Sequence, residues 1–288
     1  MAKQIIAGIS LSDSTAHLSV FEAREREVKL LYLEEFQKNN SDELWFLDIV
    51  TNPKNRILKS VSKVSIALDT NSSVIHLFPL DTTLNQAEQN EHVHWELSNI
   101  IPEYESKDYV HDIHTLKVHA REQVADVLVV AVRRSFLSKV QETLTAKGLD
   151  LHIADTTFFG AEQAFFLNYP ESRVKHFALI HSAERRVDVG IEKGGRLVHY
   201  GYTLSNFPDD IVQLLQRLGS EVKPDKILCC GPFVSPHFIH LIQDATGISV
   251  ELFNPFRLMI KTSSFDDFNN FNGMKHRYAA STGVALWK

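Results

Sequence analysis

Long apolar runs, cysteine and an excess of positive charge are all scarce in this 288-residue chain. No apolar stretch reaches the roughly 18 residues that a membrane-spanning helix requires, and the first residues carry no signal-peptide pattern. A cytoplasmic protein is therefore expected. The two cysteines, Cys229 and Cys230, are neighbours in the apolar run Ile227-Leu228-Cys229-Cys230. Adjacent cysteines rarely bridge, so this run reads as a buried strand in a reducing compartment. The 30 Lys and Arg are outnumbered by 36 Asp and Glu, for a net charge of −6. With no basic stripe to neutralise a phosphate backbone, generic nucleic-acid binding is excluded. The basic pairs Arg133-Arg134 and Arg185-Arg186 read as strand ends in water. No Gly-x-Ser-x-Gly occurs, which removes the nucleophile elbow of serine hydrolases. The chain has 14 histidines, yet His92 and His94 point apart on a helix, and His111, His114 and His119 cannot all share one strand face. No metal site is expected.

What is present is an ordinary globular composition, 44% hydrophobic and 23% charged, over a length that suits two domains or one duplicated one. Alternation marks three strands between Gln4 and Phe36: Ile5, Ala7, Ile9 and Leu11, then Ala16, Leu18 and Val20, then Val28, Leu30 and Tyr32. Ser12-Asp13-Ser14-Thr15 separates the first two. The same order recurs from His176 to Asn206, with Phe177 and Leu179, a break from His181 to Arg186, and Val187, Val189 and Ile191. The Gly194-Gly195 turn then precedes Leu197, His199 and Gly201. Two β-meanders in two half-chains predict a duplicated α/β fold, that of the actin-like, ribonuclease-H-type ATPases. There the first turn of each copy cradles phosphate, which favours glycine for close approach and a carboxylate for a metal. Neither Ser10 to Thr15 nor His181 to Glu184 contains a glycine.

The remaining pattern predicts residues 1–63 and 135–170 as the first half, 171–288 as the second, and 64–134 as a small α+β subdomain inserted in the first. In the insert, Val64 to Leu68 and Val74 to Leu80 read as strands. Thr83 to Ile101 reads as a helix with Leu84, Ala87, Glu91, Trp95 and Leu97 near one side, and Tyr109 to Ala120 and Val124 to Val132 as strands. Ser41 or Asp42 is a candidate cap for a helix ending before Pro53. Phe158, Phe159, Phe165 and Phe166 read as core on a later helix. Ser263 to Gly273, with Phe265, Phe268 and Phe271, reads as a surface loop. The small residues Ala279, Ala280, Ser281 and Gly283 predict a last helix that packs closely on a neighbour or a ligand.

Within the insert, Trp95-Glu96-Leu97-Ser98-Asn99-Ile100-Ile101-Pro102 followed by Tyr109 to Leu116 resembles a Trp-Glu helix ending in Ile-Pro in the PilM family. Val127 to Arg133, Ala146 to Leu149, Ala154 to Ala161, Asn254-Pro255-Phe256 and the closing Ala279 to Leu286 resemble further segments of that family, in the same order. The resemblance implies an actin-like cytoplasmic protein of type IV pilus assembly, related to FtsA and GspL. Such proteins bind ATP between their halves and hold the cytoplasmic tail of an inner-membrane partner, PilN, at the inserted subdomain.

Where the family has Gly-x-Asp-x-Gly-Ser-Ser-Ser and then Lys, this chain has Gly8-Ile9-Ser10-Leu11-Ser12-Asp13-Ser14-Thr15 and then His17. The resemblance thus puts Ser10 at the metal-side Asp, Ser12 at the loop Gly and His17 at the Lys. His181 stands at the second Asp, followed by Ser182 and then Ala183 at the Gly. Gly231, Pro232 and Phe233 replace a Gly-rich adenosine turn, Phe233 being expected to fill space near the base. The expectation is a degenerate cleft with no cofactor or only weakly bound ATP or ADP, no catalytic residue, and a scaffold role beside a PilN-like tail. The rival is an active actin-fold ATPase or sugar-kinase relative using displaced acids such as Asp13, Asp155 or Glu184. Self-association through actin-like faces is a third expectation.

Overall fold

β1 (Gln4–Leu11), β2 (Thr15–Arg24) and β3 (Glu27–Gln37) form the first antiparallel meander, with Ile5, Ala7, Ile9, Leu18 and Val20 in the core. A short helix, α1 (Asp48–Thr51), leads to β4 (Lys63–Leu68), which pairs parallel with β1. Next come β5 (Ser73–Asp81), α2 (Gln86–Ile100), β6 (Tyr109–His119) and β7 (Val124–Arg133). Their strands make a separate antiparallel sheet in the order β5-β7-β6. α3 (Arg134–Thr145), β8 (Asp150–Thr156) and α4 (Thr157–Asn168) follow, β8 lying parallel to β4.

The second meander is β9 (Phe177–Ser182), β10 (Val187–Lys193) and β11 (Arg196–Thr203). After it come α5 (Pro208–Leu218), β12 (Lys226–Cys230), α6 (Pro236–Thr246) and β13 (Val250–Leu252), giving a sheet in the order β11-β10-β9-β12-β13. β14 (Ile260–Lys261) and α7 (Ala279–Leu286) close the chain. This computed structural model describes residues 4–24, 27–38, 42–54, 56–69, 72–261 and 273–287. The candidate cap Ser41 and the phenylalanines Phe265, Phe268 and Phe271 lie outside them.

Three expectations are corrected by tertiary packing. The strand Val64 to Leu68 does not belong to the inserted sheet; it lies between β1 and β8 in the six-stranded sheet. Val64, Ile66, Ala67 and Leu68 are all fully buried, and an interior parallel position covers both faces of such a strand. The closing segment does not stay with the second half either, because β14 pairs with β3 and α7 packs on β1 and α4. In α2, Val93 and Leu97 face inward, whereas Trp95 is 60% exposed. Residues four apart share a helix face and a residue two along points away. α2 starts at Gln86 because Asn85 and Glu88 form a capping box.

Candidate functional site

The tips of the two meanders meet. Within the first tip, the Ser12 N–H donates to the Thr15 carbonyl at 2.8 Å, the Ser12 hydroxyl donates to the same carbonyl at 3.1 Å, and the Thr15 N–H donates back to Ser12 Oγ at 3.3 Å. The second tip is closed by the Ala183 N–H, which donates to the Arg186 carbonyl at 2.9 Å. From one tip to the other, Asp13 Oδ2 lies 2.9 Å from Arg185 Nε, and the Ser14 hydroxyl donates to Glu184 at 3.4 Å. The Asn206 amide donates to the Glu184 carbonyl at 2.8 Å and so positions the second tip.

Beneath the tips are buried imidazoles. Ser10 and His17 face each other across β1 and β2, and both are buried. His17 Nε2 lies 3.2 Å from Glu35, which also accepts from Arg277 at 3.0 Å. The hydrogen bond to His17, reinforced by Arg277, overrides burial and holds the Glu35 carboxyl down at about 2. His181 is buried at the end of β9, and burial, with His17 and Arg186 adding to it, pushes its pKa down to about 4. Its Nδ1 has no hydrogen-bond partner among the described residues. His276 is likewise held at about 4 by burial, then by Arg277. Its carbonyl accepts from the Gly231 N–H at 3.1 Å. Gly231 takes φ 100°, and a Cβ there would stand 2.4 Å from the Ser182 carbonyl oxygen, so this turn admits only glycine.

A groove of about 590 Å³ opens beside the first tip. Leu11, Ser12, Asp13, Trp45 and Phe136 form its wall on the first half. Val74, Ile101, Pro102, Tyr109 and Arg133 form the wall on the inserted subdomain. The Arg133 guanidinium lies 5.4 Å from the Tyr109 ring centroid.

A family model described as type IV pilus assembly protein PilM matches residues 3–200. The chain belongs to the PilM family. No curated protein matches it. Among solved structures this PilM-family chain is similar to a PilM–PilN type IV pilus biogenesis complex, with TM-score 0.79 and 15% identity over 99% of this chain and 98% of that one. It is also similar to a Bacteroides thetaiotaomicron protein with an actin-like ATPase fold, with TM-score 0.58 and 14% identity over 88% and 91% of the two chains. The cytoplasmic domain of EpsL, an inner-membrane component of the Vibrio cholerae type II secretion system, gives TM-score 0.50 and 14% identity over 91% and 100%. The fold is thus the actin-like ATPase fold.

In this PilM-family chain, the structure brings Ser12, Asp13, Ser14 and Thr15 against Glu184 and Arg185, with Ser10 and His181 buried below. Ser182 and Gly231 are in backbone contact. Pro232 is half-buried, and Phe233, expected to fill space near the base, is 44% exposed. The Phe233 N–H donates to the Ser182 carbonyl at 3.2 Å. Of the displaced acids, Asp13 and Glu184 are engaged across the tips, and burial raises Asp155 to about 7.

Sequence reasoning missed Arg185, Asn206, Glu35, His276 and Arg277. It also placed Arg186 in water, whereas this residue is buried with Asp188 at 2.8 Å and Tyr200 at 2.7 Å. A basic pair after a turn has no periodic signature that tells an exposed arginine from one paired in the core. Among the described residues, no group of three or more His, Cys, Asp or Glu could hold a metal ion, and no helix is long and apolar enough to cross a membrane.

Proposed function

We propose that this chain is a scaffold of a type IV pilus or type II secretion-like assembly. It holds the cytoplasmic tail of a PilN-like inner-membrane partner, and its cleft no longer hydrolyses ATP. The direct contact of the two meander tips carries the second part. A metal-bound triphosphate needs carboxylates to hold the metal and converging donors to hold the phosphates. Here Ser10 and His181 stand at the positions from which carboxylates would act, and the Ser12–Thr15 hairpin bonds to itself. The residues present therefore do not fit a metal-bound nucleotide. Each lost charge-assisted contact costs about 1.5–3 kcal/mol, so two lost contacts weaken binding roughly 10²- to 10⁴-fold. Any ATP or ADP that binds does so weakly.

The groove supports the partner reading. It combines rings at Trp45, Phe136 and Tyr109 with the charges of Asp13 and Arg133, the mixture that peptide grooves use for anchoring and register. Its inserted-subdomain wall lies where β5 begins, β6 begins and β7 ends. A tail lying in this groove would cross strand ends. Pro79, which lacks an N–H, also interrupts the β5 edge. The solved complex to which this chain is similar contains PilN, which supports a partner of that type.

Calorimetry tests both parts. The expected results are no heat with magnesium and ATP, and saturable binding of a synthetic peptide copying the cytoplasmic tail of a PilN-like protein encoded beside this chain. Micromolar ATP affinity with turnover would sink the cleft reading. A peptide that does not bind at about 100 µM would sink the partner reading.

A further inference from the structure

We propose that the Asp13–Arg185 ion pair is a clasp that holds the two halves closed without a bridging nucleotide. This rests on the reading that the cleft does not hold a metal-bound nucleotide. In such a cleft a bound nucleotide would tie one tip to the other; here the tips are tied by their own side chains. Asp13 Oδ2 reaches Arg185 Nε at 2.9 Å, and Ser14 bonds to Glu184 at 3.4 Å beside it.

Both ends of the clasp are mounted on stiff supports. Ser12 and Thr15 lock the first tip, the Ala183–Arg186 backbone bond closes the second, and Asn206 holds the Glu184 carbonyl. Contact between two pre-ordered turns loses little conformational freedom on closing, which lets a single ion pair bias the equilibrium.

Magnitude decides what kind of device this is. The Arg185 side chain is 74% exposed and that of Asp13 is 30% exposed. An ion pair of that exposure shifts a closed-to-open ratio about twofold to fivefold, and salt screens it. The clasp therefore tilts the halves toward closure and releases them readily. Asp13 also lines the groove, so the released state changes the wall that a tail would meet.

Electron-electron distance measurements between spin labels at Gln37→Cys and His237→Cys read the opening directly. Both positions are exposed, and the native Cys229 and Cys230 are buried and escape labelling. At low salt and without nucleotide, a dominant short distance is expected. Asp13→Ala or Arg185→Ala is expected to raise the open population about twofold to fivefold, and the swapped Asp13→Arg with Arg185→Asp to restore closure. Raising the salt opens the wild type and leaves the alanine variants unchanged. Unchanged distances in both alanine variants, or a swapped pair no more closed than the single variants, would overturn the clasp. Nucleotide binding by the wild type in a separate titration would sink the cleft reading and leave these nucleotide-free distances standing.

Discussion

Gly8 of β1 lies so close to Ser281 of α7 that a Cβ at position 8 would stand 1.9 Å from the Ser281 carbonyl oxygen. On the same helix, a Cβ at Gly283 would stand 1.7 Å from the carbonyl oxygen of Gly160 on α4. The closing helix is thus wedged, backbone on backbone, between a sheet and a helix, and the Ser281 hydroxyl reaches Ser19 at 2.7 Å. The small residues near the C-terminus serve packing against neighbouring elements. Gly8→Ala and Gly283→Ala are each expected to destabilise the fold by about 1–3 kcal/mol or more. A lower urea midpoint with unchanged slope would show it, and neutral substitutions at both sites would contradict the wedge.

Two buried carboxyls give the protein an alkaline weakness. Glu162 of α4 and Glu192 of β10 meet in the core, where burial raises Glu162 to about 8 and burial together with Glu162 raises Glu192. Their folded pKa values exceed the unfolded value of 4.5. The stability Glu162 contributes is therefore complete below about pH 4.5 and lost as pH rises through about 8, and Glu192, also raised, acts in the same direction. Glu192→Gln is expected to exceed the wild type at pH 8 by about 1–4 kcal/mol, with the gap closing toward pH 5. Denaturant titrations at a series of pH values provide the check, and parallel curves would refute the pairing.

The imidazoles at the joint act in the opposite direction. His181 and His276 have folded values of about 4 against 6.5 unfolded. Their contribution is complete above about pH 6.5 and lost as pH falls through 4, up to roughly 3 kcal/mol apiece. His181→Gln should flatten the acid limb of the stability curve even if it lowers the plateau. An acid limb as steep in the variant as in the wild type would remove His181 from this role.

The groove can be challenged without touching the cleft. Val74 is half-buried at the start of β5 and lines the groove. Val74→Arg is expected to weaken binding of the tail peptide at least tenfold, or about 1.4 kcal/mol, while the urea midpoint moves little. Undiminished peptide affinity would place the tail elsewhere.

Both meanders were legible because a strand records its buried face with period two, as at Ile5, Ala7 and Ile9, and a turn records itself in Ser12-Asp13-Ser14 or Gly194-Gly195. Caps at Asn85 and Thr156 lie within three residues of the groups they bind, although the Asn85 cap was overlooked and the helix start placed early. The family could be recognised from segments such as Trp95 to Pro102, since their order survives even where single residues have drifted. The sheet that Val64 to Leu68 would join was not legible, because an all-apolar strand fits any doubly covered position. Trp95 falls on the opposite side of α2 from Leu97, because residues two apart on a helix point away from each other.

From the sequence alone, then, came the duplicated strand pattern, the turns at Ser12-Asp13-Ser14 and Gly194-Gly195, and most of the inserted block. All of these are properties of residue type and short-range order. Tertiary structure alone decided that α7 returns to β1, that Arg186 is buried with Asp188 and Tyr200, and that Asp13 finds Arg185 in the other half. Such contacts join residues far apart along the chain, and their partners are chosen by how helices and sheets close around the core, which no local periodicity records.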